Sequence, residues 1–128
     1  MYNCNVLIID DDTVTLELIQ LVLEELISGK IISYSNSTEA LTFINSDKID
    51  NISLVICDWL MPDVSGLDIL SELRKKSPTC PFLMLTANAT KDLVVNAMRL
   101  GASDFVAKPF HSHDFITKVE DLIRNAEV

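Results

Sequence analysis

The sequence predicts a single α/β domain built on a five-stranded, doubly wound parallel sheet, (βα)5, with helices on both faces. Short apolar runs alternate with helix-like segments from one end to the other. The first, third and fourth of those runs are almost wholly apolar, as strands covered on both faces are. A length of 128 residues fits one domain, expected to occupy 1–128, with no room for a second.

The first run, NVLII (5–9), is too short for a globular helix and ends at Asp10, Asp11 and Asp12. Behind it Ile19, Val22, Leu23 and Leu26 share one face at 3.6-residue spacing, a helix that Asp12 is expected to cap. KIISY (30–34) makes the second strand, followed by a helix on Ala40, Leu41 and Ile44 with Ser37 as its expected cap. SLVIC (53–57) is the third strand, and Leu70 and Leu73 mark the helix after it. PFLML (81–85) is the fourth, followed by Leu93, Val94, Ala97 and Met98. DFVA (104–107) is the fifth, and Phe115, Ile116, Val119, Leu122 and Ile123 give the last helix its apolar face.

Each right-handed crossover returns a helix over the sheet, so both faces are covered. The second and fifth strands are the more polar and suit the edges, which supports the order 2-1-3-4-5. In such a sheet ligands bind beyond the carboxyl ends, where strands 1 and 3 diverge.

Composition excludes several classes. With 10 Lys plus Arg against 19 Asp plus Glu, the net charge of −9 argues against direct nucleic-acid binding, which needs cations to displace phosphate counterions. No run approaches membrane-spanning length and no signal-peptide pattern opens the chain, so a cytoplasmic protein without membrane contact is expected. Cys4, Cys57 and Cys80 sit in or beside apolar segments at no zinc-like spacing and read as reduced core thiols. His111 and His113 read as solvated residues at a helix start; Met61 lies in the loop after the third strand, and the other methionines read as packing.

The carboxyl ends carry the chemistry. Asp10 and Asp11 end the first strand, Asp58 the third, Thr86 the fourth, and Lys108-Pro109 follows the fifth. One Asp suffices to cap a helix, so capping leaves the other acids unexplained. Carboxylates forced together bind a proton or a cation. Mg2+ fits, since it takes one or two carboxylates and keeps waters for a phosphate. An Asp beside such a metal can attack phosphorus, and a hydroxyl and an ammonium can hold the remaining oxygens.

LIIDDD, ICDWLMPDVSG, MLTA and DFVAKPF together resemble the successive signatures of response-regulator receiver domains of two-component signalling (CheY-like), across essentially the whole chain. The resemblance implies a flavodoxin-like fold with the same strand order. It implies that Asp58 accepts a phosphoryl group from a histidine kinase or histidine phosphotransfer protein. Asp10, Asp11, Asp58 and the backbone carbonyl of Leu60 would hold Mg2+, while Thr86 and Lys108 would contact phosphoryl oxygens. Pro109 would follow a cis peptide. Phe105 would turn inward as Thr86 moves, altering the surface of helix 4, strand 5 and helix 5 and so a downstream output domain or protein. Leu60 and Asn88, each two residues past a site residue, are expected to overhang the site. The apolar Leu60 should slow dephosphorylation, which hydrolysis on the seconds scale would contradict. Trp59, beside Asp58, should report metal or phosphate by its fluorescence.

Two other readings stand beside this one. LIIDDDTV also looks like the first motif of haloacid-dehalogenase-type phosphatases, with Asp10 as nucleophile and Asp12 as general acid. That reading finds no acidic motif after Lys108 and leaves Asp58 and its MP…G loop unexplained. The other is a receiver-like module that binds partners without phosphorylation. Such modules usually lack a site residue, whereas all five positions are filled here.

Overall fold

Every residue of Val6–Ile9 (β1), Leu54–Asp58 (β3) and Phe82–Thr86 (β4) is buried, while Ile31–Tyr34 (β2) and Asp104–Ala107 (β5) are only partly covered. That contrast is the one expected between central and edge strands. The computed structural model describes residues 1–126, so the last two residues of the expected 1–128 domain lie outside the described residues. The strands form one parallel sheet in the order β2-β1-β3-β4-β5. The helices are α1 (Thr13–Leu26), α2 (Ser37–Ile44), α3 (Gly66–Lys76), α4 (Lys91–Arg99) and α5 (Ser112–Ala126).

Strand alternation divides the core in two. Leu7, Ile9, Val55, Cys57, Phe82 and Met84 face α2, α3 and α4. Val6, Ile8, Leu54, Ile56, Leu83, Leu85 and Val106 face α1 and α5, where Leu16, Ile19, Leu23, Phe115, Val119 and Ile123 meet them. Cys4, Cys57 and Cys80 are all buried, and among the described residues none is in a disulfide. Burial pushes the Cys80 thiol up to about 11, and burial, then the neighbouring Asp58 carboxylate, holds the Cys57 thiol well above its ordinary value.

Some local expectations need correction. Asn36, not Ser37, caps α2: its Oδ1 accepts the Glu39 N–H at 3.0 Å. Ser37 is already inside the helix, and its hydroxyl donates to the Pro62 carbonyl and accepts the Val64 N–H, tying α2 to the β3–α3 loop. On α1 the buried line is Leu16, Ile19 and Leu23, with Val22 and Leu26 half-buried. On α4 only Ala97 is fully buried, and Met98, a helical step around, is 41% exposed. Met1 is exposed too, so neither methionine is core packing. A 3-10 turn at Asp47–Asn51, unread in the sequence, drives Ile49 into the core between two polar flanks.

The β3–α3 loop positions the site. Ser65 and Asp68 close a capping box at the start of α3. The Gly66 N–H donates to the Trp59 carbonyl at 2.9 Å, drawing α3 onto the end of β3. A Cβ at Gly66 would lie 2.6 Å from the Asp58 carbonyl oxygen and 2.7 Å from the Trp59 Cα, both backbone atoms. Gly66→Ala is therefore expected to destabilise the fold by about 1–3 kcal/mol through forced backbone displacement. Thermal unfolding should show a melting temperature lower by several degrees. An unchanged melting temperature would mean that the loop yields without cost.

Candidate functional site

The carboxyl ends of β1, β3 and β4 and the chain just after β5 bring together the expected residues. Asp10, immediately after β1, is fully buried. Its Oδ1 accepts the Asp12 N–H at 2.9 Å and its Oδ2 accepts the Lys108 ammonium at 2.6 Å. Asp58 closes β3, and its Oδ2 lies 3.5 Å from the Lys108 Nζ. Asp11 is exposed at the mouth, and one oxygen from each of Asp10, Asp11 and Asp58 falls within 4.8 Å of the others. Among the described residues this is the one cluster of three or more such groups.

Lys108 is aimed by backbone pairing. Its N–H donates to the Thr86 carbonyl at 2.8 Å, extending the β4–β5 ladder one residue beyond Ala107. The Lys108–Pro109 peptide is cis, as the resemblance implied. Thr86 is buried, and its Oγ1 accepts the Asn88 N–H at 3.1 Å. Leu60, two residues past Asp58, is 61% exposed. Trp59 is buried against the core, its N–H on the Leu85 carbonyl.

The electrostatics are unbalanced. Burial, then the neighbouring Asp10 carboxylate, pushes the Asp58 pKa up to about 7 against the pull of Lys108. Burial works to lower the Lys108 pKa, but the Asp10 and Asp58 carboxylates outweigh it and hold the ammonium above its ordinary value. Three carboxylates thus share one cation, and a site short of positive charge with hard oxygen donors suits a divalent cation such as Mg2+.

Asp12 stands apart. It caps α1, accepting the Val14 N–H at 3.0 Å and the Thr15 hydroxyl at 2.8 Å, and those bonds hold its pKa below the usual carboxylate value. A carboxylate so held is ill suited to be the general acid of a phosphatase. His111 and His113 are exposed near the start of α5, in keeping with solvated residues.

Residues 6–120 match the family described as the response regulator receiver domain. The chain belongs to that family. It is 29% identical over 120 residues to the response regulator SaeR of Staphylococcus aureus, covering 93% of this chain and 50% of that protein. The chain therefore spans about half the length of the curated relatives it matches. Among solved structures it is similar to a response regulator receiver domain protein from Clostridium thermocellum, with 31% identity, 97% of each chain covered and a TM-score of 0.86. A CheY-like receiver domain protein from Methanospirillum hungatei matches with 25% identity, 98% of this chain and 97% of that one covered, and a TM-score of 0.87. Receiver domains are signalling modules whose general function is phosphorylation on an aspartate, and response regulators work with histidine kinases and output domains. Among the described residues no helix is long and apolar enough to cross a membrane.

The raised Asp58 pKa has a stability consequence. Between about pH 4, its unfolded value, and about 7, the metal-free folded state binds a proton that the unfolded state has released. Stability from this group is present at low pH and is lost as pH rises through 7. Denaturant unfolding without divalent cations should therefore find Asp58→Asn gaining on wild type as pH rises from 5 to 8. The expected gain is about 1–2 kcal/mol after discounting for solvent screening. A gap that does not change with pH would mean that Asp58 titrates like an ordinary carboxylate.

Proposed function

We propose that this chain is a phosphorelay receiver in which Asp58 takes a phosphoryl group from a phosphohistidine on a histidine kinase or histidine phosphotransfer protein. The observation that carries the reading is the convergence of Asp10, Asp11, Asp58 and Lys108 at one sheet edge, with the Thr86 hydroxyl at the end of the adjoining strand. Asp10, Asp11, Asp58 and the Leu60 backbone carbonyl would hold Mg2+. Bound there, the cation offsets negative charge on the phosphoryl oxygens and favours ionised Asp58.

The protein's own groups do the rest. The Asp58 carboxylate attacks phosphorus, an O–P bond forms, and the P–N bond breaks with its electron pair returning to the imidazole. Lys108, already 3.5 Å from Asp58, supplies an ammonium to a transferred oxygen. Thr86 accepts a bond from Asn88 and retains its own hydrogen to donate to another oxygen. As Thr86 moves toward the phosphoryl group, Phe105 turns inward and the α4–β5–α5 surface changes, which controls an output domain or protein. The receiver unit occupies 1–128, works in the cytoplasm, and catalyses only its own phosphorylation and dephosphorylation. It contacts neither nucleic acid nor membrane directly.

An exposed stripe on α1 supports a helical protein donor. Val14, Leu18 and Leu21 are 62%, 54% and 61% exposed on one face, beside Glu17 and Glu24 and with no basic residue in the helix. Leu18 also lines a cavity of about 350 Å3 that opens onto Lys108, Pro109 and Phe110. An apolar helix face flanked by basic residues would fit both features.

Intact mass after incubation with Mg2+ and acetyl phosphate tests the core of this reading. Wild type should gain a labile phosphoryl adduct that chelation prevents and Asp58→Asn abolishes. An adduct that persists in Asp58→Asn and maps to Asp10 would favour the phosphatase reading. No adduct in any form would favour a module that binds without phosphorylation. A second measurement tests the docking face: Leu18→Lys should slow transfer from a phosphorylated histidine phosphotransfer domain at least tenfold, on the order of a lost interface anchor. The rate with acetyl phosphate should not change. Equal slowing with both donors would show that Leu18 supports the fold and not a partner.

A further inference from the structure

We propose that Lys118 is a latch that holds Phe105, and with it the α4–β5–α5 surface, in the unphosphorylated arrangement. The inference rests on the reading of Phe105 as the moving residue given above. Phe105 lies on β5, an edge strand, and its ring packs half-buried against the core layer beneath α2, α3 and α4. Lys118 belongs to α5, on the opposite face of the sheet, where its neighbour Val119 is fully buried. Its side chain reaches around the free edge of β5 from one layer to the other.

Three contacts converge there. The Lys118 ammonium sits 4.5 Å from the centroid of the Phe105 ring. The same ammonium donates to the Phe105 carbonyl, one of the acceptors that an edge strand leaves open. It also lies 3.5 Å from the Asp104 Oδ1, which itself accepts the Phe105 N–H at 2.8 Å. The ring, carbonyl and N–H of one residue are thus all tied, directly or through Asp104, to one cation. A rotation of the Phe105 ring away from Lys118 gives up the cation–ring attraction. The latch therefore favours the resting arrangement only, and a contact present in one of two states shifts the equilibrium between them.

The contacts of Lys118 are with Asp104 and Phe105, not with Asp58 or Lys108, so its role is that of a positioning residue. No metal or phosphoryl contact depends on it. Beside it a cavity of about 440 Å3, lined by Phe105, Phe110, His113 and Thr117 among others, leaves room for the lysine to move aside.

The experiment compares wild type, Lys118→Met and Lys118→Arg. Met keeps the reach of the side chain without the cation, whereas Arg keeps the cation. The readouts are the acetyl phosphate phosphorylation rate, Mg2+ affinity from Trp59 fluorescence, and amide hydrogen exchange in α4 and β5 with and without phosphorylation. Lys118→Met should be phosphorylated about three- to tenfold faster, as expected when one weak contact no longer disfavours the competent state. Its unphosphorylated exchange pattern should move toward that of phosphorylated wild type. Mg2+ affinity should be unchanged, and Lys118→Arg should restore the wild-type rate. A Lys118→Met protein with the wild-type rate and exchange pattern, while phosphorylation still alters exchange in wild type, would overturn the latch alone. If phosphorylation alters nothing in α4 or β5 of wild type, the switch reading falls and the latch falls with it.

Discussion

The interaction on which the rest of this structure depends is the ion pair between Lys108 and the fully buried Asp10. A buried carboxylate is costly without a partner, and the 2.6 Å bond from Lys108 is what makes it tolerable. The two residues directly follow β1 and β5, which β3 and β4 separate. The pairing therefore requires all four strands in register, and the ladder bond from the Lys108 N–H to the Thr86 carbonyl supplies the last step. Asp58 enters between them with no cation of its own. Burial first, and then the Asp10 carboxylate, raise its pKa against the pull of the shared ammonium. The fold thus sets three carboxylates against one ammonium, and that shortage of positive charge suits the edge to a divalent cation.

Most of this was legible because it follows from pattern. Runs such as VLII and LVIC, alternating with helical segments, suit a parallel sheet covered by helices on both faces, and with the order 2-1-3-4-5 Asp10, Asp58, Thr86 and Lys108 come to one edge. The parts that were not legible turn on competition between near-equal choices. Asn36 and Ser37 are both good caps, and only the position of the Pro62 carbonyl and the Val64 N–H shows why Ser37 serves elsewhere. Leu16 was missed on α1 because the exposed Val14, Leu18 and Leu21 blur the helical period. Ile49 was missed because one apolar residue in a polar turn has no periodicity at all. Lys118 was missed for a different reason: its contacts cross the edge of the sheet, and no spacing along α5 announces them.

The weakest packing lies where signalling would need it. α3 buries Ile69, Leu70 and Leu73 and is closed at its start by a capping box. Arg74, near its end, donates to the carbonyls of Ser77, Cys80 and Gly101, and Gly101 holds a φ of +112° that only glycine adopts freely. α4 stands between that anchored turn and the site, and it buries only Ala97 while Val95 and Met98 remain exposed. A helix pinned at one end and lightly packed along its length can move without unfolding its neighbours. The same region contains β5, the edge strand that carries Phe105 at its second position and leads into Lys108.

The three consecutive acids at Asp10–Asp12 show how far burial, and not residue type, decides role. Identical side chains one residue apart meet three environments. Asp10 is fully buried and its charge is tied to Lys108; Asp11 opens to solvent at the mouth; Asp12 turns onto the first helix and gives both oxygens to the cap. Their repulsion would be wasteful if all three served one purpose. Because Asp12 is fixed by the helix, the chain direction after β1 is set, and the Asp12 N–H is brought within 2.9 Å of the Asp10 Oδ1. The cap thus holds one oxygen of Asp10 while Lys108 holds the other. Helix capping and site geometry are in that sense one structure, and a change that loosened the cap would be felt first at the buried carboxylate beside it.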